Sequence, residues 1–575
     1  MRRWILLAGI VALGIAAVVV SERRKVDAPA SPAALLYLVA DTERELTRMP
    51  VNFTRMSDAE EIRIGDEIAS MYGSPETDDS NKAEVQTVER YLTQVGGPLS
   101  ARAHRRLPYR FHYIASESMI NAFALPGGHV YIGAGLLALM DSEDELAAVL
   151  GHEIEHIDHY HCAERAQQEQ ALRRIPLGGL VAIPVFVFET GYSKDQELEA
   201  DREGTRLAVE AGYSANGAIR LFEAFDQMYR RYRQQQDQSR TKSPQEELSQ
   251  VAMQGLEGYF RSHPLPSERI AQIQKMIASE GWPARPERDL AVGYVFWTRR
   301  AEAALNAKKY QDAEQLASRS VKMHPDQPEA WDVLAPAQFA QAEFSAASDS
   351  YRRLLEGDPR KLNNVKSFAM ALAAADRQGA AGEFHKWMGS VRETPRNAPV
   401  EQAGLNLLGG NPEQAHKLEG ELQLSSDAWA PDYMGELGWW YYLAGDYARA
   451  SQLLAEAVQQ RPGDVQMWIR RGWAEIEIRR YSDAIQTVNN GAWENGGTPE
   501  QRLQSERSMA QGVAFWKANE SDEALRDFDR ALVSQPEWLN PNWVKALYSP
   551  LVAQSVQEMQ AERERRRKAR IAEKR

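Results

Sequence analysis

At 575 residues the chain is too long for one hydrophobic core, so two or more domains are expected. Hydrophobic residues make up 43% and charged residues 26%, a globular balance, and a net charge of -13 argues against nucleic acid as a partner. The single cysteine, Cys162, excludes an internal disulfide framework and a four-cysteine zinc knot.

The chain opens with Arg2 and Arg3, then Trp4–Val20, an unbroken run of 17 apolar or glycine residues. As a helix this run spans about 25 Å, slightly short of a bilayer core. Arg23, Arg24 and Lys25 follow, and the one small-x-small cleavage candidate, Ala28-Pro29-Ala30, lies beyond them. Residues 1–30 therefore read as an uncleaved membrane anchor or, alternatively, a removed signal segment; both export the remainder. Residues 31–59 read as a linker.

Farther on, Phe123, Leu125, Val130, Tyr131 and Ile132 flank Pro126-Gly127-Gly128, which predicts strand, tight turn and strand. Asp141-Ser142-Glu143-Asp144-Glu145 predicts a helix start, with Ser142 and Glu145 in capping-box spacing. Leu146, Val149, Leu150, Ile154 and Ile157 continue it at helical spacing. His152 and His156, within GHEIEH, then stand one turn apart on one face and can reach a single metal ion. Glu153 points beside them, where a carboxylate can take a proton from an attacking water. With 11 histidines in the chain, such a pattern arises by chance only about 0.02 times.

Catalytic zinc needs a third protein ligand. His159 shares the helical face but sits farther along the axis. Glu197 is the better candidate: in SKDQELEADREG, residues 193–204, Ser193 can cap a second helix and Glu197 and Asp201 fall one turn apart. Glu197 completes a His₂Glu set, and Asp201 can orient one of its imidazoles from behind. Between the two helices, Ile175–Phe188 is too short to span a bilayer and reads as a buried or interfacial hairpin. Residues 229–256 are polar and read as a flap.

HEIEH followed by ELEAD resembles the HtpX-like, CAAX-prenyl-protease-type zinc metallopeptidases, whose pattern is HExxH and then ExxxD. NAFALPGGHVYIGAGLL, residues 121–137, resembles that family's substrate strand, and SHPLPSERI, residues 262–270, its SHP motif. The resemblance covers residues 60–280. It implies one zinc ion on His152, His156 and Glu197, with Glu153 as general base. Phe123, Ala124 and Leu125 would then hold an extended, unfolded substrate. His263 would lie near the metal, either capping it or supporting the oxyanion.

After residue 290 the pattern becomes repetitive. Tyr310 and Phe344, Pro325 and Pro359, and Tyr447 and Tyr481 are each 34 residues apart. Leu437, Gly438, Tyr441, Ala450, Ala457 and Pro462 follow the tetratricopeptide pattern; Trp468, Gly472 and Ala484 repeat it. Gly512, Ala524, Phe528, Ala531 and Pro536 supply another copy. About six repeats are expected, with residues 360–430 degenerate and Gly409-Gly410-Asn411-Pro412 interrupting.

The expected fold class is mainly α with a small β-sheet. A gluzincin-type metallopeptidase domain (60–290) precedes a tetratricopeptide α-solenoid (291–540) and a basic C-terminal helix or tail (541–575). A zinc peptidase joined to such repeats resembles periplasmic quality-control enzymes of Gram-negative bacteria. That resemblance implies cleavage of misfolded or stalled barrel proteins and repeats that contact outer-membrane assembly machinery; the N-terminal segment, in which this chain departs from those enzymes, is expected to tether it to the inner membrane. The competing expectation is a repeat-based chaperone or scaffold whose zinc domain is structural or silent.

Overall fold

A computed structural model describes residues 56–71, 79–166, 192–224, 227, 266–358, 361–423, 425–490 and 501–573. The apolar run at 4–20, the stretch 175–188, the polar segment 229–256 and His263 lie outside the described residues. The chain divides into two compact units, Met1–Leu290 and Ala291–Arg575. Among the described residues no helix is long and apolar enough to cross a membrane.

The first unit contains helices α1 (Asp58–Met71), α2 (Asp79–Ser100), α3 (Glu143–Asp158), α4 (Lys194–Glu210) and α5 (Pro266–Glu280). Its strands are β1 (Arg110–Ile114), β2 (Ala122–Leu125) and β3 (His129–Gly133), in the order β1-β3-β2. β3 pairs antiparallel with β2 and parallel with β1. Pro126–Gly128 makes the turn between β2 and β3. Gly127 and Gly128 have φ of 80° and 107°, and a Cβ on Gly128 would stand 2.8 Å from the Pro108 carbonyl oxygen.

α3 starts where the sequence marks it. The Ser142 hydroxyl accepts from the Glu145 amide at 3.2 Å, and the Glu145 carboxylate accepts from the Ser142 amide at 3.3 Å. Leu146, Leu150, Ile154 and Ile157 are fully buried, and so is nearly everything else on the helix. Its acids are therefore buried as well and require partners. Asp144 takes the amides of Ser214 at 2.5 Å and Arg288 at 2.9 Å; Asp158 takes those of His104 at 2.9 Å and Arg105 at 2.6 Å.

The second unit is a succession of paired helices. The pairs are Gly293–Asn306 with Tyr310–Met323, Pro328–Ala340 with Phe344–Gly357, and Leu362–Ala375 with Ala380–Ser390. Next come Ala398–Leu408 with Glu413–Gln423, Ala430–Ala444 with Tyr447–Gln460, Val465–Glu477 with Tyr481–Asn489, and Gln501–Lys517 with Ser521–Ser534. The degenerate region thus holds two further pairs, and Gly409–Pro412 is simply the turn inside one of them. In two repeats the indole N–H of a tryptophan, Trp331 or Trp468, donates to the carbonyl of the proline six residues earlier at 2.8 Å.

Residues 541–575 are not a free tail over their first half. Trp538 is fully buried, and Trp543, Val544, Val552 and Met559 are at most 4% exposed. The segment around Trp538 also reaches back along the repeats. Tyr310 donates to Glu537 at 2.6 Å, and Tyr548 packs on Trp473 at 5.3 Å and on Trp439 at 5.9 Å. The basic residues begin farther on, where Arg565 and Arg567 are exposed. Aromatic residues without helical periodicity made this closure invisible as a repeat element.

Trp538→Ala should therefore lower the stability of the repeat unit by about 3–5 kcal/mol, as removal of a fully buried aromatic does. Urea unfolding of a 291–575 fragment, followed by circular dichroism, measures it; a loss below 1 kcal/mol would show that the closing segment is dispensable.

Candidate metal centre

The site is built where α3 crosses α4. Gly151 and Gly204 meet backbone to backbone: a Cβ on Gly151 would stand 2.7 Å from the Gly204 carbonyl oxygen, and one on Gly204 2.7 Å from the His152 nitrogen. Two residues without side chains let the helices touch, and the polar groups beside them converge.

His152, His156 and Glu197 are 5%, 0% and 0% exposed. Their ligand atoms all lie within 4.8 Å of one another. His152 Nε2 and His156 Nε2 are 3.0 Å apart, and the Glu197 carboxylate is 3.4 Å from the first and 3.5 Å from the second. Tetrahedral ligands about 2.05 Å from one zinc ion stand about 3.3 Å apart, so the three side chains fit such an ion. Two imidazoles and a carboxylate are the donor set of a catalytic rather than a structural zinc site.

The supports of these side chains are equally specific. His152 Nδ1 is 3.0 Å from Asp201 Oδ1, which directs its Nε2 inward. Arg269, on α5, holds Asp201 with two bonds of 2.6 Å and lies over the Phe222 ring at 4.3 Å. This is bidentate pairing in a dry site. His156 Nδ1 is 3.0 Å from His161 Nδ1, and burial pushes the His161 pKa down to about 4. A neutral His161 can accept the His156 Nδ1–H, again leaving Nε2 for the metal. Tyr192 stacks on the His156 ring at 3.8 Å, its hydroxyl 3.1 Å from Cys162 Sγ.

Burial works against a charged imidazole at His152, yet Asp201 and then Glu197 outweigh it and push its pKa up to about 9. At Asp201 burial raises the pKa, but the charge and hydrogen bonds of Arg269 and His152 bring it below the usual carboxylate range. Glu153 is buried next to His152 along α3.

His159 does not join this group. Its Nδ1 lies 2.7 Å from Glu155 instead, and its atoms cluster with Glu155 and Asp158. On β2, the Phe123 and Leu125 side chains are core, with Phe123 stacked on Tyr131 at 5.0 Å. The Ala124 carbonyl faces the other way, 3.6 Å from Cys162 Sγ. Sequence reasoning singled out neither Arg269 nor His161, Tyr192, Gly151 or Gly204. Arg269 stands five residues after Pro264 in the SHPLPSERI stretch, but nothing local marks it as the partner of an acid 68 positions away.

Residues 86–277 match Peptidase family M48, and residues 298–361 and 441–502 match tetratricopeptide repeats. The chain carries an M48 peptidase domain followed by tetratricopeptide repeats. It is similar to the beta-barrel assembly-enhancing protease of Escherichia coli K12, 24% identical over 360 residues, which cover 57% of this chain and 66% of that one. The protein of the same name from Yersinia pestis is 26% identical over 206 residues, 32% of this chain and 38% of the relative. The mitochondrial metalloendopeptidase OMA1 of Schizosaccharomyces pombe is 33% identical over 130 residues, 21% of this chain and 38% of that one. The chain thus matches less than two thirds of the length of these relatives. The M48 match includes His152, His156, Glu197, Asp201 and Arg269, all inside residues 86–277.

Two outcomes follow for the M48 domain. Arg269→Met leaves a buried Asp201 charge without its partner and should destabilise the metal-free domain by about 3–5 kcal/mol, read from its thermal melt. An unchanged melt would show that Asp201 does not depend on Arg269. The raised His152 pKa gives a definite sign: its stabilising contribution is full below the unfolded value near 6.5 and is lost as pH rises through about 9. A metal ligand must be neutral, so zinc binding at pH 7 should release about one proton from His152, and none above about pH 10. Calorimetry in buffers of different ionisation enthalpy measures this; proton release that does not change with pH would refute it.

Proposed function

We propose that the chain is a zinc-dependent endopeptidase of envelope protein quality control that cleaves misfolded or stalled outer-membrane proteins, with repeats that dock substrates or partners. The convergence of His152 Nε2, His156 Nε2 and the Glu197 carboxylate within 4.8 Å carries the reading. The names of the relatives and the apolar segment at 4–20 support a periplasmic setting, with that segment as the tether or signal.

One zinc ion held by those three residues supplies Lewis acidity toward a scissile carbonyl. The chain's own groups do the rest. Asp201, fixed by Arg269, holds the His152 proton on Nδ1, so that Nε2 keeps its lone pair for binding. His161 does the same for His156. Glu153 takes a proton from the attacking water and delivers it to the leaving amine. Burial of the site keeps competing water away and strengthens these electrostatic contacts. An extended substrate would lie along Phe123, Ala124 and Leu125 of β2. Strand addition selects unfolded clients.

Glu153→Gln should bind zinc as the wild type does and lose casein cleavage by a factor of at least about a thousand, since it removes the proton carrier but no ligand. Glu197→Gln should lose both metal and activity. Casein assays with and without a chelator, beside zinc analysis, separate the two variants. Wild-type cleavage by Glu153→Gln, or chelator-insensitive cleavage, would sink the assignment. Cleavage absent from the wild type, with client binding retained by the repeats, would instead favour a chaperone or scaffold.

A further inference from the structure

We propose that Tyr192 and Cys162 are positioning residues that tie the β2 main chain to the His156 ring, and so set the register of an extended substrate against the metal ligands. This deepens the peptidase reading above and rests on it.

A scissile bond must meet the catalytic groups within a fraction of an ångström; a displacement of about 1 Å can cost about a hundredfold in rate. The Gly151–Gly204 crossing places α4 against α3, but it does not reach the sheet. β2 is the outer strand, paired among the described residues with β3 alone. Glu61 on α1 holds the turn that ends β2, by accepting the Gly127 amide at 3.1 Å. The hold of β2 on the metal ligands runs through three successive contacts.

The Tyr192 ring lies on the His156 ring at 3.8 Å, with the two planes 18° apart. Its hydroxyl stands 3.1 Å from Cys162 Sγ, and the thiol donates to the Ala124 carbonyl at 3.6 Å. All of this is buried: Tyr192 is 9% exposed, Cys162 0% and Ala124 1%. Burial foremost, and then the Glu61 and Glu153 charges, raise the thiol pKa, so the sulfur keeps the proton that it donates. Tyr192 donates its own proton to sulfur, and the contacts run one way, from hydroxyl to thiol to carbonyl. The four residues come from different segments. His156 is on α3, Cys162 follows the end of α3, Tyr192 stands two residues before α4, and Ala124 is on β2. An apolar residue at 162 would fill the same space, yet it would offer the Ala124 carbonyl no proton.

The zinc-loaded full chain is assayed on a long quenched casein peptide and on a truncated one that keeps the same scissile bond. Tyr192→Phe keeps the ring on His156 and loses only the hydroxyl; Cys162→Ala loses the donor to β2. Both should hold wild-type zinc and raise KM for the long peptide about five- to tenfold, the worth of one hydrogen bond, with kcat within about twofold. KM for the truncated peptide, which lacks the residues that pair with β2, should not move. Cys162→Ser restores a donor and should recover most of the loss. Metal-free protein gives a second readout, because strand pairing needs no metal. Its affinity for the long peptide, by fluorescence anisotropy, should fall by the same factor in Tyr192→Phe and Cys162→Ala. Tyr192→Phe also covers the case in which Cys162→Ala does not fold. Unchanged KM and peptide affinity in both variants, an equal rise in KM for both peptides, no recovery by Cys162→Ser, or loss of zinc in Tyr192→Phe overturns the proposal and leaves the peptidase reading standing. Wild type that cleaves neither peptide overturns both.

Discussion

Everything at the candidate metal centre depends on one contact, the glycine-to-glycine crossing of α3 and α4. A side chain at either Gly151 or Gly204 would meet backbone at 2.7 Å, so any larger residue must push the helices apart. The separation matters because a metal site tolerates only tenths of an ångström. His152 and His156 come from one helix and keep their mutual spacing whatever happens, but Glu197 and Asp201 come from the other. The crossing sets their distance to the imidazoles, and α5 fixes it from a third side through Arg269 and through Gln272, which bonds the Leu198 carbonyl at 2.6 Å.

That arrangement carries an electrostatic cost. Asp201, Glu197, Arg269 and two histidines are all nearly inaccessible to water. Isolated, each charge would be expensive to bury; together they form a chain in which Arg269 balances Asp201, Asp201 orients His152, and His152 faces Glu197. Removing one member leaves the next uncompensated. The same logic runs through the rest of α3, where backbone amides satisfy Asp144, and backbone amides together with the His104 imidazole at 2.9 Å satisfy Asp158. A helix this deeply buried can carry such acids only where each has a partner, and for Glu155 that partner is the His159 imidazole at 2.7 Å.

Much of this was legible in the sequence, and the boundary is physical. The Ser142 and Ser193 caps, the one-turn spacing of His152 and His156, and the pair Glu197 and Asp201 are local: each involves residues three or four apart on one helix, where geometry follows from spacing. The β2–β3 hairpin was legible for the same reason, through Pro126-Gly127-Gly128. What sequence could not reveal depends on pairing between elements. Gly151 and Gly204 look like ordinary helix-weakening residues until their helices cross. Arg269 looks like one more surface arginine until Asp201 is seen beneath it. His159 shares a face with His152 and His156, and only the structure shows it turned to Glu155.

The repeat unit makes the same point on a larger scale. A tetratricopeptide array is ordinarily one-dimensional, each pair stabilised by its neighbours alone, and the 34-residue phasing invites that picture. Here the chain after the last pair returns to the first ones: Tyr310 bonds Glu537 across 227 positions, and Asn540 donates to the Gln341 carbonyl at 3.3 Å across 199. Trp538, Trp543 and Tyr548 meanwhile pack against one another and against Trp473, with ring centroids 4.7–6.2 Å apart. Contacts of such sequence separation couple the ends of the array, so its stability is not a sum of nearest-neighbour terms. They also bring Trp439 and Trp473 against the chain's own Tyr548.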